Sequence, residues 1–460
     1  MRERVVADAY EQSRASKRAP AALALALVVV LSLYLLWPSL RDLHSSGQLN
    51  FAGVPLMELD RLALVESTPD AVLELSSAHN RFALKLLKLL STKSSNENIL
   101  FSPFSIYNAL ALVSAGARGE TETEIMHVLG FDHLQYTPAD RVLLHAVFRD
   151  FLLEQMRDGR FDLYTGVAVE KSYGLHDDFR RFASEYYAAE VLPVDFVHEF
   201  SRERNRLNEL VEKHTKGKIR DLIPPSAISS ATVAVVLNAL YFQSAWATPF
   251  APAYTKSMDF HLFDDSVAVV SGMFMDTGKF YFANTPHLQA VELPFEGKRT
   301  SVLFLLPRKH GEQAFSELIN EFSVDGATAL QQVVSEMKRV PVTVTLPSFT
   351  LEQQCNLNQM LTKLGMGRAF SKAAEFPALV RSRDPLVISS VDHKAFLRVT
   401  EAGVEAAAAT SVSIAARSMP IEKVQPHINL NRPFLFLLRD VDSGCVFFAG
   451  AMIRPLSTAT

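Results

Sequence analysis

The segment 401–418, EAGVEAAAATSVSIAARS, has the residue pattern with the clearest chemical consequence. A trypsin-like protease cleaves the peptide bond after an arginine that lies beside small residues, and the bond between Arg417 and Ser418 fits that description. Apolar or small residues also recur with a period of two, which is typical of a strand with one buried face. That face would carry Val404, Ala406, Ala408, Thr410, Val412 and Ile414. The segment is therefore predicted to be both a cleavable loop and a latent β-strand.

An alanine-rich helix is the alternative for this segment, because Ala has the highest helix propensity. Gly403 near its start and the β-branched residues further along favour a strand instead. Small side chains would let such a strand slide between two others at little steric cost. Fully extended, the sixteen steps from Glu401 to Arg417 would span roughly 53 Å at about 3.3 Å each.

Enzyme signatures are missing from the sequence. It has no G-x-S-x-G, H-E-x-x-H, C-x-x-C or G-x-x-x-x-G-K-[ST] motif, and its 13 His residues are scattered. Folding could still assemble a catalytic triad, but we expect no enzyme, no metal and no cofactor. Cys355 and Cys445 are interpreted as two buried thiols, with a disulfide between them as the alternative.

Composition limits the class of protein and of partner. The chain has 460 residues, 48% of them apolar, and 46 basic against 50 acidic residues, so no nucleic-acid partner is expected. Helical patterns dominate up to about residue 215, and strand-like stretches follow, which favours an α+β fold. The strand-like stretches are Thr232–Phe242, Val302–Leu306, Val340–Leu346, Phe434–Leu438 and Val446–Phe448. We expect one large domain over 72–456 after a linker over 38–71.

The N-terminal residues resemble a targeting segment. Residues 1–20 carry five basic against three acidic residues, and the next 17 residues, 21–37, carry no charge. That length suits a membrane-spanning signal anchor, whereas a cleaved signal peptide is usually shorter. Both alternatives stay open, and both deliver the rest of the chain to the secretory pathway, either secreted into the extracellular space or anchored as a type II membrane protein.

Five segments carry a resemblance to one family. EAGVEAAAAT (401–410) is similar to the hinge of the inhibitory serpins, which are protease inhibitors that act by loop insertion. The resemblance extends over about residues 72–456. It also rests on NILFSPFSIYNALALVSAGARGETETEI (98–125), VLNALYFQSAWATPF (236–250), DHKAFLRVTEAG (392–403) and NRPFLFLLRDVDSGCVFFAG (431–450).

The resemblance implies a fold and a mechanism. The fold is α+β, with a large mixed main sheet, further sheets, about nine helices and an exposed reactive-centre loop. A serine protease attacks the loop and forms an acyl-enzyme, and the cleaved loop inserts as a new strand of the main sheet. The implied partner is a trypsin-like protease held covalently by a monomeric serpin domain. A carrier or chaperone whose loop is only a substrate is the alternative.

The resemblance also assigns site residues. Counted from the hinge glutamate Glu401 as the first, the seventeenth residue is Arg417, so Arg417–Ser418 is the expected reactive bond. The hinge is Glu401, Gly403, Val404, Glu405, Ala406, Ala407, Ala408, Ala409 and Thr410. The residues that would bind in the subsites of the protease are Ile414, Ala415 and Ala416. The shutter under the sheet is Ser102, Ser105, Asn238 and His393, and the breach where the loop enters holds Trp246 with Glu401.

Two positions depart from the family pattern. Val404 stands where Thr is common at the first inserted position, and a β-branched apolar residue should still insert. Many serpins place a Lys after Leu-Pro, opposite the hinge glutamate, but here Leu346-Pro347 is followed by Ser348. The residue that usually forms an ion pair with the hinge glutamate is therefore missing at this position, which puts the ion pair of Glu401 in doubt.

Overall fold

The computed structural model describes residues 50–51, 54–55, 69–93, 96–131, 159–324, 326–405 and 425–455. Two units divide the chain at Asn50, and the fold below is that of the second unit, Phe51–Thr460. Residues 1–37, with the expected anchor or signal segment, lie outside the described part. Within that part no helix combines the length and the apolar character that crossing a membrane requires.

Eight α-helices lie in the described residues. They are α1 Pro69–Lys93, α2 Pro103–Gly116, α3 Gly119–Val128, α4 Asp177–Tyr187, α5 Phe196–His214, α6 Glu312–Val324, α7 Gly326–Glu336 and α8 Asn358–Leu364.

The strands number eighteen in the same residues. They are β1 Asn50–Phe51, β2 Val54–Pro55, β3 Ile99–Phe101, β4 Phe161–Glu170, β5 Glu190–Val194, β6 Ala234–Phe242, β7 Ser244–Ala245, β8 Lys256–His261, β9 Val267–Asn284, β10 Leu288–Pro294, β11 Thr300–Pro307, β12 Lys338–Pro347, β13 Phe349–Asn356, β14 Ile388–Val399, β15 Gly403–Val404, β16 His427–Asn429, β17 Phe434–Asp440 and β18 Val446–Met452.

The main sheet has seven strands, in the order β5-β4-β6-β14-β15-β7, and β13 pairs with the other edge of β14. Its two central strands, β6 and β14, run parallel and are paired from Ala234–Ile388 to Tyr241–Phe396. Their neighbours β4 and β13 run antiparallel to them. A parallel pair needs a long crossover between its strands, and here five strands of the second sheet, β8 to β12, lie between β6 and β14 in the sequence.

The second sheet has nine strands, in the order β16-β12-β9-β10-β11-β17-β18-β3, with β8 on the edge of β9. Helix α2 packs against β6 and β4 of the main sheet and against β18 of the second sheet. Every residue of α2 is buried, because this helix fills the layer between the two sheets. Ser102 caps its N-terminus, its side chain accepting from the Ser105 N–H, and Pro103 occupies the first turn.

The expected elements agree with the structure in part. All five strand-like stretches are strands, and both sheets are mixed as predicted. Helical patterns were expected to dominate up to about residue 215, and strands β3, β4 and β5 also lie in that part of the chain. Asp162, Thr165 and Gly166 interrupt the apolar residues of β4, so the sequence shows no apolar strand pattern there. Helix α1 begins at Pro69, inside the expected linker, because proline is favoured in the first helical turn.

Both cysteines are free. Cys355 lies on β13 and Cys445 lies directly before β18. Burial raises the pKa of the Cys355 thiol to about 12 and that of the Cys445 thiol well above its usual range. The interpretation as two free thiols therefore holds, but only Cys445 is buried as expected, whereas Cys355 is half-buried.

Candidate functional site

The first hinge residues already form part of the main sheet. After β14 the chain turns at Thr400, whose N–H donates to Gly403 O at 2.8 Å, and it returns as β15. Val404 pairs antiparallel with Val399 of β14, and Gly403 pairs antiparallel with Ala245 of β7. Because β7 continues β6 after one residue, β15 occupies the position between the extensions of the two central strands.

Gly403 is required at this point by its backbone and its surroundings. Its φ is +148°, a conformation that residues with a side chain rarely adopt. A Cβ placed there would lie 2.2 Å from Ser244 O and 2.6 Å from Ala245 Cα, so any other residue would push β15 away from β7. The next residue, Val404, has 0% exposure and packs into the core.

We call the position between β6 and β14, below β15, the slot. In this structure the slot is closed. There β6 and β14 pair directly with each other in parallel. A strand that continued β15 downwards would run antiparallel to both of them, as β15 does to β14. Opening the pair would therefore exchange one parallel ladder for two antiparallel ladders, which have the better hydrogen-bond geometry.

Glu405 is held in place where the chain leaves the sheet, by contacts we call the hinge clasp. Its φ is +50°, and its N–H donates to Arg398 O at 3.0 Å. Its Oε2 lies 3.0 Å from Lys218 Nζ, with side-chain exposures of 10% for Glu405 and 41% for Lys218. The same ammonium lies 5.6 Å from the centroid of the Tyr241 ring. Burial raises the pKa of Tyr241, and the neighbouring Glu405 carboxylate raises it further.

Glu401 and Trp246 lie together at the top of the slot. Trp246 donates its Nε1–H to Thr400 O at 2.9 Å and its backbone N–H to Ala402 O at 2.9 Å. Its indole stacks on Phe295, with ring centroids 4.6 Å apart. The Thr255 hydroxyl donates to Glu401 Oε1 at 2.9 Å. Within the described residues no cation lies within 4.0 Å of this carboxylate, as the missing Lys after Leu346-Pro347 led us to expect.

The four shutter residues form one buried hydrogen-bonded cluster. Asn238 on β6 and His393 on β14 are directly paired in the sheet, and Ser102 and Ser105 lie at the start of α2. His393 Nε2 accepts from the Ser102 N–H at 3.0 Å, so the proton is on Nδ1, which donates to Asn238 Oδ1 at 2.7 Å. The Ser105 hydroxyl donates to the same oxygen at 2.6 Å, and Asn238 Nδ2 donates to Ser105 O at 2.7 Å.

This cluster connects both central strands to the helix beneath them. Separating β6 from β14 must break the bond between His393 and Asn238, so the cluster would open together with the slot. Burial lowers the pKa of His393 to about 3, because a charged imidazole would lose its hydration at this buried position. The neutral ring is the form that can both donate to Asn238 and accept from Ser102.

The remaining expected site residues lie outside the described part of the chain. They are Ala406, Ala407, Ala408, Ala409, Thr410, Ile414, Ala415, Ala416, Arg417 and Ser418. The chain resumes at Gln425, whose Oε1 accepts from the Thr277 hydroxyl at 3.0 Å, and it enters β16 at His427. Where the structure is described, it holds no cluster of His, Cys, Asp and Glu able to bind a metal ion.

Three further residues of the site could not be identified from the sequence: Lys218, Thr255 and Tyr241. Lys218 is 187 positions from Glu405 in the chain, and Thr255 is 146 positions from Glu401. An isolated Lys or Thr carries no local pattern, and only folding brings these residues to the hinge.

Comparison with known proteins agrees with this geometry. The sequence matches the family described as Serpin (serine protease inhibitor) over residues 77–455. An uncharacterised serpin-like protein from Thermococcus kodakarensis is 34% identical over 384 residues, 82% of this chain and 85% of the relative. Antithrombin-III from Homo sapiens is 31% identical over 396 residues, 85% of this chain and 84% of the relative.

A solved structure gives the same result for the fold. Uncleaved ovalbumin superposes with a TM-score of 0.73 and 26% identity, covering 83% of this chain and all of the ovalbumin chain. The α+β fold inferred from the five segments is thus confirmed as the serpin fold, with eight helices described where about nine were expected. The chain belongs to the serpin family of serine protease inhibitors.

Proposed function

We propose that this serpin inhibits arginine-specific, trypsin-like serine proteases as a suicide substrate cleaved at Arg417–Ser418. The observation that supports this most directly is β15. The first residues of the hinge already lie in the main sheet, antiparallel to β14 and directly above the closed pair of β6 and β14. Insertion would extend an existing strand, so its costly first pairing is already made.

The covalent step follows from ordinary acyl transfer. The protease serine Oγ attacks the carbonyl carbon of Arg417, and the peptide C–N bond to Ser418 breaks. The proton of the serine hydroxyl passes to the leaving amine of Ser418, and an ester joins Arg417 to the protease. With the loop cut, residues 405–417 are free at one end and extended would span about 40 Å. Insertion would carry the esterified protease along that length before water hydrolyses the ester.

The sequence of the loop suits this movement. Val404 is buried in β15, and the residues that follow on the same face are Ala406, Ala408, Thr410, Val412 and Ile414. None of them is charged, so all can enter the sheet interior without desolvating an ion. Glu405, Ala407 and Ala409 alternate with them and would face outwards. Arg417 as the residue before the cleaved bond favours a protease whose pocket is acidic.

Incubation of the purified chain with trypsin tests the proposal. We expect an SDS-stable complex, a released C-terminal peptide that begins at Ser418, and a large rise in melting temperature of the loop-cleaved chain. Arg417→Glu should abolish the complex. The control is Arg383→Glu, which replaces an exposed arginine before β14 and should leave the complex unchanged.

The other outcome is that trypsin cuts after Arg417, leaves active, and the cleaved chain melts where the intact one does. It would favour the carrier or chaperone and refute the proposed inhibition. Residues 21–37 as a signal or anchor that delivers the domain to the secretory pathway stay a separate prediction.

A further inference from the structure

Two arginines that have no carboxylate partner among the described residues lie together at one end of the second sheet. Arg308 follows β11, and Arg432 precedes β17, the strand that pairs with β11. Arg432 donates from Nη2 to Pro307 O at 2.6 Å, which places its guanidinium beside the residue that precedes Arg308. Burial lowers the pKa of Arg432, and the charge of Arg308 lowers it further, so the two guanidiniums repel each other.

Fixed contacts hold these two side chains rather than leaving them to swing apart. Arg308 donates from Nη1 to Asn284 Oδ1 at 3.2 Å, and its backbone N–H donates to His287 O at 2.8 Å. Arg432 Nε is buried without a hydrogen-bond partner. Each contact made by the guanidiniums is to a neutral oxygen, which orients the cation but leaves its charge uncompensated.

Further basic groups surround the pair. Lys309 is exposed beside Arg308, and His310 follows it. The His310 ring packs edge-on against the His261 ring, with centroids 6.2 Å apart. His261 in turn donates its backbone N–H to the O of Asn431, the residue before Arg432, at 2.8 Å. Lys309 and His310 therefore lie at the same end of the second sheet as the two arginines.

Acidic side chains also lie on the neighbouring elements. Asp264 and Asp265 lie in the β8–β9 turn, and Glu312 begins α6. Of these, Asp265 lies 3.7 Å from His310 and is 92% exposed. Among the described residues, no carboxylate oxygen lies within 4.0 Å of either guanidinium.

We infer that Arg308 and Arg432, with Lys309 beside them, form a binding site for a tetrahedral oxyanion, the phosphate or sulfate group of a polyanion. A phosphate or sulfate offers several oxygens to guanidinium N–H donors in bidentate geometry, and its charge would remove the repulsion between the two arginines. The flanking basic groups favour a polymer over a single ion, because neighbouring anionic groups can then bind at the same time. This site lies on the second sheet and is independent of the proposed reactive bond.

Titration of the intact chain at 150 mM NaCl tests the inference, with inorganic tripolyphosphate as the probe and calorimetry as the readout. Arg308→Gln should weaken binding about tenfold, because it removes one charge-assisted contact from an exposed side chain. Arg432→Lys keeps the positive charge but loses the planar guanidinium with its paired N–H donors. We expect the affinity for tripolyphosphate to fall about threefold. Arg383→Gln, which removes an exposed arginine in the loop before β14, should change affinity by less than twofold.

Competition identifies the source of the oxyanion. Dextran sulfate should displace tripolyphosphate if sulfated polysaccharides share the site, and neutral dextran should not. Displacement supports a general oxyanion site, and its absence supports a site for phosphate polymers. No saturable tripolyphosphate binding, or equal losses in Arg308→Gln and Arg383→Gln, would overturn the inference whatever the result with trypsin.

Discussion

A charge at the first inserted position should turn the inhibitor into a substrate. Val404 has 0% exposure in β15, between Val399 and Ser244. Val404→Glu would place a carboxyl group in this core. Keeping that group neutral at pH 7 costs about 3.7 kcal/mol, since its ordinary pKa is about 4.3. The lost burial of valine adds roughly 1.5 kcal/mol, for a total of about 5 kcal/mol.

The uncleaved variant can avoid this cost by releasing residue 404 from β15. The cost then falls on insertion, the step that must bury residue 404 again and that competes with hydrolysis. If the transition state of insertion already buries residue 404, about 5 kcal/mol slows insertion by roughly 5 × 10³-fold, and water then cleaves the acyl-enzyme first. We expect Val404→Glu to be cut at the same bond as the natural chain, with active trypsin released and no SDS-stable complex. The matched control is Val404→Ala, which adds no charge and should retain most of the complex.

Two results would refute this reasoning. A covalent complex of Val404→Glu at the yield of the natural chain would show that residue 404 does not enter the core during inhibition. Equal failure of Val404→Ala and Val404→Glu would show that side-chain volume at this position decides the outcome, with no part for charge. The assay is a titration of trypsin activity, with the products separated by SDS gel.

Three further predictions concern stability. Lys218→Met breaks the hinge clasp, costs about 1 kcal/mol and should lower the melting temperature of the uncleaved chain by roughly 1–2 °C, whereas the exposed control Lys213→Met should not. Gly403→Ala should lower it more, because the added Cβ expels β15, and hydrogen exchange at the end of β14 should rise. His393 and His79 have pKa values lowered by burial to about 3 and about 4, below the ordinary 6.5. Each therefore contributes stability above pH 6.5 that is lost as the pH falls towards those values, about 2 kcal/mol each by pH 5, and His393→Gln should roughly halve the loss seen in denaturant titrations. An unchanged pH slope in that variant would contradict the burial of a neutral His393.

Local patterns were enough for the strands of the sheet interiors. The stretches that became β6, β11, β12, β17 and β18 are rich in apolar and β-branched residues, which fit a buried pleated surface. Strand β4 was not identified by the same reasoning because Asp162, Thr165 and Gly166 interrupt its apolar residues.

The residues expected to form the hinge and the shutter could be chosen from the sequence because their types occur in long segments that resemble one family. Their contacts could not be named. The bond between His393 and Asn238 joins residues 155 positions apart, and the hinge clasp joins residues 187 positions apart. Hydrogen bonds of this kind join parts of the chain that meet only after folding, and no local pattern shows which distant residues will pair.

The sequence by itself determined that residues 401–418 can be a strand, because alternation and small side chains are local properties of the chain. It also determined the family, through five segments whose residues fill fixed places in one fold. Only the tertiary structure decided that Gly403 and Val404 already lie in the sheet while β6 and β14 remain closed below them. The reason is physical: a strand is stabilised by the neighbours that accept its hydrogen bonds and bury its side chains, and those neighbours come from distant parts of the chain.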